Sequence, residues 1–146
     1  MCGRFQMNFI LLIIKTLLIV TPLLLGGVIY ILFRRDNIIL FKWANVLGLS
    51  ELINCMRNIN SLNNVPNWII YNLPDGLWLF SCVFSMSLLW RRKNKTANFW
   101  MLIMPLIICF HEVGQGLKLF EGTFDIMDLL FYLLSTILAI TLSRFF

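Results

Sequence analysis

An all-α, polytopic transmembrane helix bundle of four spans is the fold class this sequence predicts, and three observations predict it. The chain is 60% hydrophobic and only 13% charged over 146 residues, where soluble domains are about half apolar and about a quarter charged. Its apolar residues fall in runs long enough to cross a bilayer core of about 30 Å at about 1.5 Å per helical residue. Tryptophans lie near both ends of one such run, as interface belts require. The length suits a single integral membrane domain over 1–146.

The first span is expected at about 16–33, "TLLIVTPLLLGGVIYILF", uncharged throughout, with Lys15 before it free to snorkel to the interface. The run is too long for a cleaved signal segment and lacks a small-x-small cleavage site after it, so it reads as a permanent helix with a kink near Pro22. Residues 34–66 are harder to place. "NIILFKWANVLGL" is apolar but broken by Lys42 and Asn45, and "INCMRNINSLNN" is rich in asparagine. Interfacial helices and a loop are expected here, with Trp43 at headgroup depth. Arg34 and Arg35 fit poorly on an extracytoplasmic side, so a fifth, shallow crossing is the alternative. The second span is expected at about 68–90, the third at about 97–117 and the fourth at about 125–142.

The net charge of +5 does not indicate nucleic acid. Four of the twelve basic residues form one knot, Arg91, Arg92, Lys93 and Lys95, between two spans, which marks the cytoplasmic face. The four cysteines, Cys2, Cys55, Cys82 and Cys109, have no paired spacing, so neither a disulfide framework nor a zinc site is read from them. No cofactor is expected.

If the knot is cytoplasmic, the start of the second span, the end of the third and the start of the fourth share the opposite face. Those three ends carry Asp75, then His111, Glu112 and Gln115, then Asp125 and Asp128. Asp75 lies about 10 Å inside its span at helical rise. Glu112 and Gln115 are three apart, as are Asp125 and Asp128, so each pair shares a helix face. Tyr132 and Ser135 continue the Asp128 stripe into a polar seam. A charge at the bilayer centre costs about 2.5–3.5 kcal/mol, and such residues usually face partners or water. Singly, each has an ordinary explanation. Asp125 suits a helix N-cap, "LPDG" around Asp75 suits a turn, and His111 suits a hydrogen-bonded interfacial residue. Gly114 and Gly116 suit close packing. It is their convergence in one leaflet that makes Asp75, His111, Glu112, Gln115, Asp125, Asp128 and Tyr132 a candidate ligand pocket.

The stretch "HEVGQGLKLFEGTFDIMDLLFYLLS" resembles the C-terminal signature of VanZ-like membrane proteins: E-x-x-Q at one helix end, a short loop, then D-x-x-D-L-L leading into the last helix. Glu112, Gln115, Asp125, Asp128, Leu129 and Leu130 match it. "PDGLWLF" is similar to that family's aspartate-led entry into an earlier span, with Asp75 as the aspartate. The likeness covers the C-terminal half and is divergent. "EGT" precedes Asp125 where an arginine is usual, Tyr132 and Ser135 replace an asparagine and a glycine, and Trp78 stands where histidine is common. The resemblance implies a multi-pass protein of the bacterial inner membrane and cell envelope, in a family whose namesake is tied to teicoplanin resistance.

The leading expectation is therefore an outward-facing acidic pocket for a lipid headgroup, a lipid-linked envelope precursor or another amphiphile. A divalent cation on hard carboxylate oxygens could bridge such a ligand, although the spacing demands none. A small cation- or proton-coupled transporter and a non-catalytic structural subunit are the alternatives. Acid–base catalysis by His111 is disfavoured, since no nucleophile motif accompanies it. Membrane lipids are the expected partners, with homo- or hetero-oligomers in the membrane as a further option and nucleic acid excluded.

Overall fold

A computed structural model describes residues 2–34, 39–59, 65–90 and 95–146. These contain six helices and no strand: α1 Cys2–Phe33, α2 Ile39–Val46, α3 Ser50–Ile59, α4 Asn67–Leu89, α5 Lys95–Gly116 and α6 Ile126–Ser143. Four stretches are long and apolar enough to cross a membrane: Phe9–Phe33, Asn67–Leu89, Phe99–Gly116 and Ile126–Ser143. The knot residues Arg91, Arg92 and Lys93, and Arg35, lie outside the described residues.

Helix α1 begins at Cys2, well before the expected start near Thr16. Lysine is a good helix former, so Lys15 ends the apolar run without ending the helix. The chain also passes through Pro22 in α1, Pro74 in α4 and Pro105 in α5 as helix. Membrane helices tolerate proline where neighbouring groups serve the freed carbonyls.

Residues 34–66 provide no described fifth crossing. Helices α2 and α3 have 8 and 10 residues, roughly 12 and 15 Å at helical rise, against a core of about 30 Å. Gly48 turns the chain between them at φ 72°, with Leu49 N–H donating to Ala44 C=O at 2.9 Å, a Schellman stop. Phe41, Ala44 and Ile53 form a small core that packs on Ile31 of α1. Arg57 of α3 fastens this hairpin to α1. Its guanidinium lies 4.6 Å from the Phe41 ring centroid and donates to the backbone carbonyls of Ile31 and Arg34 at the end of α1.

The direction of each long helix follows from its contacts. Ser81 Oγ donates to Ile19 C=O at 2.9 Å, and Trp78 Nε1 donates to Leu23 C=O at 3.2 Å. Tyr71 faces Arg34, so α1 and α4 are antiparallel. Along α4 and α6 the pairings Trp68–Phe131 and Phe84–Phe146 rise together, so these two are parallel. The main core, Leu79, Val83, Phe84, Tyr132 and Ala139, lies between them. Lipid tails are as apolar as leucine, so close packing and interhelical hydrogen bonds hold such helices together. Gly76 accordingly sits against Ser135 and Phe131, where a Cβ would approach to 3.1 Å.

One end of the bundle therefore collects the end of α1, the start of α4, the end of α5 and the start of α6. The acids lie there.

Candidate functional site

Helix α4 brings Asn72 and Asp75 to this end on one face, three residues apart. Asn72 is 3% exposed, and its side-chain amide donates to Asp125 Oδ2 at 3.0 Å and to Asp128 Oδ1 at 2.7 Å. One amide thus uses both N–H groups to hold two carboxylates of α6. Asp125 is the N-cap of that helix, with Oδ1 accepting from Met127 N–H at 2.9 Å. Its carboxyl is held below the usual carboxylate range, first by the Asn72 amide and then by the Met127 N–H. Glu112 of α5 is 5% exposed and accepts the Asp125 backbone N–H at 2.7 Å. Asn72, Glu112, Asp125 and Asp128 form a polar latch across three helices.

Asp75 differs from these acids. It is half-buried and lies within electrostatic reach of Arg34, Asp128 and Glu112, but it makes no hydrogen bond or ion pair with any described residue. It lines a partly open cavity of about 360 Å³ with Trp78, Leu79, Cys82, Met104, Ile108 and Tyr132. Asp75 and the buried Tyr132 give this otherwise apolar space its polar end. The "LPDG" residues lie within α4, two turns from its start, and form no entry turn.

His111 and Gln115 face elsewhere. The imidazole is exposed and stacks on Phe120, with ring centroids 5.2 Å apart and planes 9° from parallel. Gln115 Nε2 lies 3.3 Å from His111 Nδ1 and against Gly122, where an added Cβ would come within 2.5 Å of it. The cause is the loop. Leu119 N–H donates to Gly114 C=O at 2.8 Å and Lys118 N–H to Gln115 C=O at 3.0 Å, a Schellman turn with Lys118 at φ 59° where glycine is usual. The chain then folds back and lays Phe120 over Gly114. Gly114 thus serves close packing.

Two residues here were not singled out by sequence reasoning. Asn72 left a signal, its spacing of three from Asp75. Arg34 left another, since an antiparallel first span must end beside the start of the second. Its guanidinium lies 5.2 Å from the Tyr30 ring centroid and 4.8 Å from that of Tyr71. Among the described residues, no group of three or more His, Cys, Asp or Glu side chains is placed to hold a metal ion. No family model, curated protein or solved structure matches the chain.

Proposed function

We propose that this is a VanZ-like protein of the bacterial inner membrane whose pocket binds the cationic headgroup of an envelope lipid or comparable amphiphile from the outer leaflet. The observation that carries this reading is Asp75, a carboxylate without a hydrogen-bonding partner among the described residues, at the polar end of an apolar cavity. A cavity of about 360 Å³ falls within the usual range of ligand sites, about 300–1,000 Å³. An amphiphile would place its tail along Met104 and Ile108 and its head between Asp75 and the Tyr132 hydroxyl. The latch acids hold α4, α5 and α6 around this space. The outward orientation rests on the basic knot, and the family on the E-x-x-Q and D-x-x-D-L-L residues.

The test is titration of the purified full chain, in neutral detergent, with dodecylamine. Asp75→Asn keeps the shape and removes the charge, so binding should weaken about tenfold, the scale of one charge-assisted hydrogen bond. The unfolding temperature should not fall, because Asp75 contributes no bond to the latch. Dodecylamine binding that survives Asp75→Asn unchanged would sink the proposal.

A further inference from the structure

A second cavity lies on the other side of Trp78, between α1 and α4. It is a groove of about 380 Å³ lined by Leu23, Leu24, Gly27, Val28, Ile31 and Trp78, apolar throughout. Gly27 forms its notch: a Cβ added there would meet nothing within 4 Å. Leu24, Gly27 and Ile31 form a stripe at helical spacing of three and four, and Arg34, one residue past the end of α1, continues that spacing. The apolar groove thus rises along α1 to a cation at the bundle end.

Arg34 is held ready for an anion. The rings of Tyr30 and Tyr71 both lie close to its guanidinium, and its Nε–H is buried without a hydrogen-bond partner among the described residues. No ion pair closes between Arg34 and the nearby acids among the described residues, and Asp75 lines the other cavity. A buried, unmatched donor of this kind leaves a hydrogen bond unmade, and arginine suits phosphate through its planar fork of donors. A phosphate joined to a long apolar chain satisfies both the terminal N–H groups of this half-buried guanidinium and the groove. A soluble anion would satisfy only the guanidinium.

We infer that the α1–α4 groove holds one acyl chain of a glycerophospholipid whose phosphate sits on Arg34. This site shares the Trp78 wall with the Asp75 pocket and takes the opposite charge, with Arg34 within electrostatic reach of Asp75. Native mass spectrometry of the full chain in neutral detergent, titrated with phosphatidylglycerol, tests it. Diacylglycerol of the same chains and inorganic phosphate serve as separate arms. One phosphatidylglycerol should be retained, and Arg34→Gln should weaken its retention about tenfold. Gly27→Leu should weaken retention comparably with Arg34 intact, because its Cβ meets nothing within 4 Å and its side chain projects into the notch. Leucine also favours the helix over glycine, so this variant decides the matter even where Arg34→Gln fails to fold. Dodecylamine binding through Asp75 should persist in Gly27→Leu, which separates failure here from failure of the pocket. Retention unchanged by Gly27→Leu, or diacylglycerol held as tightly as phosphatidylglycerol, overturns the inference. Inorganic phosphate binding as tightly as the lipid also overturns it.

Discussion

Helix α4 makes two long contacts, and they are built differently. Against α6 it pairs side chain with side chain: Asn72 with Asp125 and Asp128, Trp68 stacked on Phe131, Gly76 under Ser135. Against α1 it sends donors to the backbone, from Trp78 to Leu23 C=O and from Ser81 to Ile19 C=O. The first contact depends on residue identity on both helices. The second depends on it less on the α1 side: any residue at 19 or 23 supplies the same carbonyl, and identity matters there at Gly26, Tyr30 and Arg34. Burial agrees, with 6% of the α1 span buried inside the protein against 39% of the α4 span. α1 is attached along one line, whereas α4 is the centre of the bundle.

The largest expected effect breaks the α4–α6 side. Asn72→Leu keeps the volume but removes both amide bonds and leaves Asp125 and Asp128 facing an apolar group. A loss on the order of 1–3 kcal/mol is expected for such unmatched groups, read as a lower unfolding temperature in detergent. Adding Asp128→Asn should return part of the loss, because one of the stranded charges is gone. A variant as stable as the parent would show that the latch holds nothing.

The α1 side has one position of comparable sensitivity. A Cβ on Gly26 would fall 2.6 Å from Trp78 Nε1 and 3.1 Å from the Pro74 carbonyl, so Gly26→Ala must displace a bonded indole. Overpacking of this kind costs about 1–3 kcal/mol, and the lower half of that range fits a side chain that is able to swing. Gly27→Ala, one residue on, should be neutral or stabilising by about 0.5–1 kcal/mol through helix propensity. Equal unfolding temperatures for the two variants would contradict the described α1–α4 packing.

The smallest effect sharpens the latch through pH. The Asp125 pKa is lowered in the folded chain by Asn72 and Met127, so its contribution is fully present above the unfolded value, near about 3.9. That contribution fades as the pH falls through the lowered folded value. The gap in unfolding temperature between the parent and Asp125→Ala should therefore narrow on acidification from pH 6 to about pH 3. A gap that widens in acid would give the wrong sign.

The four spans were legible because run length and hydropathy are properties of single segments. The start of α1 was not, because hydropathy marks where apolar residues begin and says little about where hydrogen bonding begins. Asp75, Glu112, Asp125 and Asp128 were brought to one end by counting chain reversals from the basic knot. The same count carried through α1 places Arg34 beside them. Helix phase separated His111 from Glu112, since adjacent residues do not share a face. Gln115 lies beside His111 and against Gly122 for another reason, a loop that folds back through a lysine in a left-handed conformation. Neither hydropathy nor spacing foretells that. Asn72 was overlooked because an amide carries no charge, although it is what lets two carboxylates of α6 sit side by side.

Backbone carbonyls repeat at every turn of α1, so Trp78 and Ser81 would find acceptors equally well if the two helices slid past each other by one turn. Their hydrogen bonds therefore fix the distance between α1 and α4 but cannot fix the register. A slip of one turn would bring Pro22 or Tyr30 under the indole in place of Gly26, and neither leaves it room. The register of the first helix is set by the one residue in that row with no side chain.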